Sequence, residues 1–177
     1  MKKVFQKSEE VIELFVTGSQ NEARSRNIYF NDLNQIYSYG SHYLLAEKLG
    51  YGSIMINDTG YSKTTRKHIT QITRASFGWK QFFKSETSLG IVYDSVIKNN
   101  EKLRKARKPE LYTNRIVMLW EKLNEYLDYF DKAYLRSVDG YLEIKNIVES
   151  ILLDEEKEEL QDDQITEMEE LQIIMMN

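Results

Sequence analysis

The apolar residues of this chain change their spacing at about residue 62, and that change limits the folds it can adopt. Before it, four short runs rich in Ile, Tyr and Phe are separated by turn residues, a pattern typical of β-strands. We expect strands near 27–31, 35–39, 42–48 and 53–57, arranged as a small antiparallel meander. From Ser62 onward the apolar residues recur every three or four positions, which predicts helices. The sequence therefore indicates an α+β fold whose C-terminal half is all helical.

Capping and stop residues give the approximate limits of the helices. Ser8 and Ser62 each precede a segment of helical period, which is typical of N-caps. The single proline, Pro109, separates two helical segments and can occupy the first turn of the second. In chain order, helices are expected at 8–15, 62–78, 88–108, 110–137 and 141–153.

The helical half contains a heptad pattern. Six apolar residues follow one another at intervals of four and three, which is the spacing of a helix that packs against a partner helix. They are Tyr112, Ile116, Leu119, Leu123, Tyr126 and Phe130. This pattern fits an intramolecular hairpin of helices, and it fits a homodimer as well.

Length and composition favour one core with an extension. A chain of 177 residues with 41% apolar residues is too short for two ordinary domains. We expect an α+β domain at 1–86, a helical extension packed on it at 87–153, and an acidic amphipathic tail at 154–177. Cysteine is absent, which excludes disulfides and thiolate metal sites. No segment has the apolar run of a signal peptide or a membrane span, so a cytoplasmic protein is expected.

Charge is strongly segregated along the chain. Residues 62–108 have a net charge of +9, and residues 154–170 have a net charge of −9. Such asymmetry indicates a surface that binds polyanions, an acidic tail that binds a partner, or two segments that neutralise each other. All three interpretations remain open from the sequence.

The cations give the predicted binding surface. A dense group lies at 98–108, and others lie on the helix that begins at Ser62. The alternative for both groups is a solvated helix surface. For Arg24 the alternatives are contact with a nucleobase or phosphate, and an ion pair with Glu22 or a neighbouring acid in a solvated loop. The predicted basic surface consists of Arg24, Lys63, Arg66, Lys67, Lys98, Lys102, Arg104, Lys105, Arg107 and Lys108.

A second set of candidates is polar. Gln20 lies in a stretch dense in hydrogen-bonding side chains, and Thr64, Thr65 and His68 lie near a helix start, where backbone N–H groups favour anions. We expect these four residues to take part in binding. The alternative is an ordinary capped surface helix with His68 as a structural histidine.

The acidic tail is expected to face a partner. Its carboxylates are Asp154, Glu155, Glu156, Glu158, Glu159, Asp162 and Asp163. They can make the tail a solubilising end, a coiled-coil arm, or a mimic of nucleic-acid phosphates. Apolar residues recur among the acids, so a marginal helix is expected there rather than coil.

Motifs of catalysis and of cofactor binding are missing from the sequence. Only two histidines occur, His42 and His68, and neither belongs to an H-E-x-x-H motif. No phosphate-binding loop, calcium loop or nucleophile elbow is present. We therefore expect no catalytic residue, no metal and no cofactor, with a hydrolase or nuclease that uses His68 as the catalytic alternative.

Three segments resemble a small domain of unknown function found in bacteriophage and mobile-element proteins. They are SQNEAR at 19–24, IYSYGSHY at 36–43 and GYSKTTRKH at 60–68. The resemblance covers about residues 10–78 and implies a phage-type origin, hence a bacterial host cell. It implies no catalytic residue.

The profile of the whole chain resembles the anti-CRISPR class, whose members inhibit Cas nucleases. That resemblance implies a partner, a bacterial Cas nuclease with its guide RNA, and a positively charged channel that the acidic tail can address. We expect a binding protein that inhibits such an effector, most plausibly Cas9, without contact to membranes. The alternative is a phage accessory protein that binds DNA or RNA through residues 62–108.

Overall fold

The computed structural model describes residues 2–50, 52–60 and 62–154. The chain divides into two compact units, Met1–Ile91 and Val92–Asn177. A six-stranded sheet lies in the N-terminal half and helices make up the C-terminal half, so the predicted α+β class is confirmed. Within the described residues, no helix is both long enough and apolar enough to cross a membrane.

The first unit contains one sheet and the helices that pack on it. In chain order its elements are α1 (Ser8–Thr17), β1 (Ala23–Arg24), β2 (Ile28–Phe30), β3 (Gln35–Ser38), a 3₁₀ turn (Gly40–His42), β4 (Tyr43–Gly50), β5 (Ser53–Ile56), α2 (Lys63–Ala75), β6 (Lys80–Phe83) and α3 (Lys84–Thr87). Strands β2 to β5 correspond to the four expected strands and are antiparallel. Strands β1 and β6 were not expected, so the sheet is larger than the predicted meander.

Strand β6 makes the sheet mixed, because it pairs parallel to β5. Ser53 lies opposite Lys80, and Ile56 lies opposite Phe83. Two parallel neighbours need a crossover connection, since a tight turn can join only antiparallel strands. Helix α2 supplies that crossover and contacts β4 and β5 on its way.

The core of the first unit lies between the sheet and the two long helices. Helix α1 buries Val11, Ile12, Phe15 and Val16, which recur at helical spacing. The Phe15 ring packs against Phe30 of β2 with 5.6 Å between ring centroids. The other apolar members of this core are Ala23, Ile28, Ile36, Leu45, Ala46, Ile54, Ile56 and Ile72.

The start of α1 differs from the prediction. Lys7, and not Ser8, occupies the N-cap position. Glu10 supports this end of the helix, because its carboxylate accepts a hydrogen bond from the backbone N–H of Lys7 at 3.2 Å. The hydroxyl of Ser8 points away from the cap, and it donates to Gln71 of α2 at 3.1 Å.

The described part of the second unit contains three long helices. Its elements are α4 (Leu89–Leu103, which belongs to this unit from Val92 onward), α5 (Glu110–Tyr129), a 3₁₀ turn (Ala133–Ser137) and α6, described over 139–154. Helix α4 ends at Leu103 and not at Lys108, because Leu103 is the last residue of the segment with a large apolar side chain to pack. Helix α5 is also shorter than predicted, because residues 130–137, which were expected to be helical, form turns.

The heptad seam of α5 is buried within the unit, though not along its whole predicted length. Ile116, Leu119 and Leu123 are fully buried, as the spacing predicts. Further along the helix the buried position is Leu127 and not Tyr126. In a straight α-helix of about 3.6 residues per turn, the step from Ile116 to Leu127 makes about three full turns, so Leu127 and not Tyr126 lies on the buried side. Trp120 of α5 packs on Tyr141 of α6, with 4.8 Å between ring centroids.

Leu123→Ala tests the seam, because Leu123 is fully buried on α5. We expect the free energy of unfolding to fall by about 2–5 kcal/mol, the usual cost of removing a buried leucine side chain. Leu111→Ala is the matched control on the same helix, since the Leu111 side chain is 64% exposed; it should change stability by less than about 0.5 kcal/mol. Denaturant unfolding followed by circular dichroism measures both, and equal effects would contradict the assignment of the seam.

Candidate nucleic-acid interface

The densest group of cations forms a basic segment, defined here as residues 98–108. Lys98 and Lys102 lie on α4, whereas the other four follow its last residue. The backbone turns directly after the helix, since the N–H of Lys105 donates to the carbonyl of Lys102 at 3.0 Å. The cations of the segment are Lys98, Lys102, Arg104, Lys105, Arg107 and Lys108.

All six cations of the basic segment are exposed. Glu101 is the one acid in this stretch, which leaves a net charge of +5. Among the residues that the structure describes, none of the six cations takes part in a salt bridge. The ammonium group of Lys102 lies 5.9 Å from the centroid of the Tyr112 ring, a cation–π contact at the edge of the usual range. This segment can therefore present to a polyanion several charges that no acid of the described residues neutralises.

Helix α2 presents a second set of cations. Lys63, Arg66 and Lys67 are exposed, as the amphipathic pattern predicts. Lys67 lies 3.7 Å from the carboxylate of Glu9 on α1, so part of its charge is compensated. Ser62 caps the helix, because its hydroxyl accepts a hydrogen bond from the backbone N–H of Thr65 at 3.1 Å. The first turn is thus a capped surface helix, with exposed cations beside it.

Arg24 lies on β1 with its side chain exposed, next to the N-terminal segment. Its backbone bonds to that segment, since its N–H donates to the carbonyl of Lys3 at 2.8 Å and its carbonyl accepts from Phe5 at 2.9 Å. The ion pair considered between Arg24 and Glu22 is not formed; Glu22 pairs with Lys3 instead. The guanidinium of Arg24 therefore remains available to a partner.

The polar candidates are mostly engaged within the protein. The amide of Gln20 donates to the carbonyls of Lys2 at 3.1 Å and of Glu22 at 2.7 Å, which holds the loop together. Thr65 is fully buried and His68 is almost so. Neither of these two side chains can touch a partner while α2 remains on the sheet. Thr64 is half-buried at the start of the helix.

His68 links α2 to the sheet. Its Nδ1 shares a hydrogen bond of 2.9 Å with the hydroxyl of Ser38, which is also buried. Burial lowers the pKa of His68, and the nearby charge of Lys67 lowers it further, while Glu9 opposes the shift. This environment supports the structural interpretation of His68 considered above.

A groove between α1 and α2 has no counterpart among the sequence predictions. Its volume is about 730 Å³, and it has Ile12 and Val16 on the α1 side. Acids of α1 line one wall and cations of α2, including Arg74, line the other. The sequence does indicate that Glu9 and Glu13 share one side of α1, because they are four residues apart. Only the packing of the two helices places these acids opposite cations.

The acidic tail falls mainly outside the described residues. Asp154, at the end of α6, is exposed. The predicted partner-facing acids from Glu155 to Asp163 lie beyond that limit. Within the described part of the chain, no group of three or more His, Asp or Glu side chains could hold a metal ion.

The buried His68 should make stability depend on pH. Because burial lowers its pKa below the ordinary 6.5, the folded state binds fewer protons than the unfolded state just below that pH. Stability contributed by the neutral imidazole is therefore present above about pH 6.5 and lost as the pH falls further. Denaturant midpoints measured between about pH 7.5 and 5 should fall for the natural sequence and stay flatter for His68→Gln. His42→Gln, at an exposed histidine, should keep the slope; a slope that survives in His68→Gln would contradict this assignment.

Comparisons of this chain with protein-family models, with curated proteins and with solved structures found no match.

Proposed function

We propose that this chain is a phage or mobile-element binding protein that inhibits a bacterial CRISPR effector nuclease such as Cas9, in the cytoplasm of the host cell. The observation that carries the proposal is the basic segment 98–108, whose six cations are exposed and form no salt bridge within the described residues. Guide RNA and target DNA are the polyanions that such an effector holds in its channel. The basic segment contacts these phosphates and hinders nucleic-acid binding or cleavage.

The chemistry of the segment suits phosphates. Lys and Arg bind the backbone of nucleic acid without regard to sequence, and the release of condensed counterions drives the association. Four of the six cations follow the end of α4, where no helix geometry fixes the side chains on one face. Lys63, Arg66 and Lys67 of α2 supply further exposed charge. The resemblance of residues 10–78 to a phage-type domain supports the proposed origin in a phage or mobile element. The resemblance of the whole chain to the anti-CRISPR class supports a CRISPR effector nuclease as the proposed partner.

A second candidate function is favoured by the same basic segment. A phage accessory protein that binds DNA or RNA directly, without a nuclease partner, would use the same exposed cations. The two functions differ in one requirement. Inhibition needs the protein to act on a guide-loaded effector, whereas the accessory protein binds free nucleic acid and leaves cleavage unchanged.

Contact between the basic segment and phosphates predicts a strong effect of salt. For single-stranded or duplex DNA, the logarithm of affinity should fall linearly with the logarithm of salt concentration. Lys102→Gln combined with Lys105→Gln should reduce the slope by about one for each lysine that binds a phosphate. Lys122→Gln combined with Lys145→Gln is the matched control, since both lysines are exposed in the same unit and pair with acids. Fluorescence anisotropy at several salt concentrations measures this, and equal slopes in both double variants would contradict the assignment.

Inhibition is tested with guide-loaded Cas9 and a labelled DNA target. We expect target cleavage to fall in the presence of excess protein, and the Lys102→Gln/Lys105→Gln variant to need roughly tenfold more protein for the same effect. A pull-down with and without nuclease treatment shows whether the protein binds the effector itself. Unchanged cleavage across several effectors, together with binding to free nucleic acid, would exclude inhibition and leave the accessory function.

A further inference from the structure

The turn between α2 and β6 displays an aromatic ring in solvent. The side chain of Phe77 is 89% exposed, the highest exposure of any large apolar side chain among the described residues. Gly78 follows it, and a side chain built at Gly78 would meet no atom within 4 Å. The ring of Phe77 is therefore accessible to a flat ligand, and its neighbour Gly78 adds no side chain beside it.

The turn is held by hydrogen bonds and does not form a loose loop. The amide nitrogen of Gln81 lies within hydrogen-bond distance of three oxygens, the carbonyl of Thr73 at 2.8 Å and both oxygens of Ser76 at 2.9 and 3.0 Å. Ser76 is fully buried, and its hydroxyl donates to the carbonyl of Ile72 at 2.7 Å. A ligand that stacks on Phe77 thus meets a preorganised backbone, which lowers the entropic cost of binding.

The sequence on both sides of this turn is rich in positive charge. From Thr59 to Ser85 the sequence contains six Lys or Arg and no Asp or Glu. Arg74 lies three residues before Phe77 and is exposed, and it also lines the groove whose other wall carries Glu9 and Glu13. Lys80 lies three residues after Phe77, and its ammonium group is 5.7 Å from the centroid of the Phe82 ring. An aromatic ring flanked by cations is the combination with which proteins bind single-stranded nucleic acid, since bases stack on the ring and phosphates pair with the cations.

We propose that the turn 76–80 is a contact site for single-stranded nucleic acid, with Phe77 as the residue on which a base stacks and Arg74 beside a flanking phosphate. This inference rests on the proposed contact with nucleic acid and adds a base-stacking residue in the first unit. Stacking requires an unpaired base, because both faces of a base are covered inside a duplex.

A nucleobase fits this turn better than a protein surface does. Protein-binding sites expose contiguous apolar patches of a few hundred square ångströms. Trp79, the other aromatic residue of the turn, instead packs against the core of the first unit. The turn thus exposes a single aromatic ring, next to Gly78 and close in sequence to cations. One ring has the size to stack on one base, and the cations can pair with its phosphates.

The test is the binding of a fluorescein-labelled oligothymidylate of about 15 nucleotides, measured by anisotropy with the full chain. Phe77→Ala should weaken binding roughly tenfold, and Phe77→Trp should restore it, because every aromatic face can stack on a base. Phe77→Leu should bind as weakly as Phe77→Ala. Tyr134→Ala is the control, since Tyr134 is also aromatic and 70% exposed but lies in the second unit; it should leave binding unchanged.

The salt dependence of affinity distinguishes base stacking on Phe77 from the pairing of cations with phosphates. Phe77→Ala should keep the slope of log affinity against log salt, because stacking releases no counterions, whereas Arg74→Gln should reduce the slope by about one. Thermal unfolding should be nearly the same for the Phe77 variants, given the exposure of this side chain.

Several results would overturn the inference. Unchanged oligothymidylate binding by Phe77→Ala would do so, as would full binding by Phe77→Leu, which would indicate a general apolar contact with a protein. If only Lys102→Gln/Lys105→Gln weakens binding, this site is excluded while the proposed function stands. If Phe77→Ala weakens binding but no effector is inhibited, the site stands and the inhibitor function fails. No binding of any nucleic acid by the natural sequence at low salt excludes both.

Discussion

The parallel pairing of β5 with β6 determines how the first unit presents its surface. A parallel neighbour cannot be reached by a tight turn, so the chain must cross the sheet, and α2 is that crossing. Once α2 lies on the sheet, its inner side is fixed: Ile72 enters the core and His68 meets Ser38. The cations of α2 lie on its outer side and are therefore exposed to solvent.

The same pairing explains why the turn after α2 is rigid. Strand β6 must begin beside β5, so the chain has only the residues 76–79 in which to reverse direction. Gln81, on the sheet, binds the last turn of α2 through Ser76 and Thr73. The side chain of Trp79 packs inward, and the side chain of Phe77 is left outside. Sheet topology and local hydrogen bonding therefore determine together what this end of the unit exposes.

Much of the secondary structure could be predicted, because it depends on local patterns. Strands β2 to β5 follow from aromatic and branched residues between turns, and Ser62 caps α2 as expected. No strand was predicted at Lys80–Phe83, since its pairing partner lies on the far side of a helix in the sequence. The end of α4 was placed too late, because Lys and Arg have high helix propensity and only the end of apolar packing after Leu103 stops the helix.

For the candidate sites, too, the sequence predicts what depends on local pattern and misses what depends on long-range packing. Exposure of the basic segment follows from composition, since Lys and Arg are seldom buried. The burial of Thr65 and His68 follows from the helical spacing that puts them on the side of Ile72. The hydrogen bond of His68 to Ser38 was not predictable, because the sequence does not indicate which face of β3 the helix covers. Likewise, the groove between α1 and α2 depends on how two helices pack. Sequence therefore identified charges well and their geometric partners poorly.

The polar groups that the fold holds most firmly bind one another. Ser38 with His68, Asp58 with the backbone N–H of Ser85, and Tyr43 with the carbonyl of Asn57 are all internal hydrogen bonds. A general base must be able to reach a proton on a substrate, and His68 is closed off by the sheet on which it packs. Among the described residues, the side chains exposed to a partner include the cations of the basic segment and the ring of Phe77. Such groups recognise phosphates and bases by charge and shape, which is the chemistry that the proposed contact with nucleic acid requires.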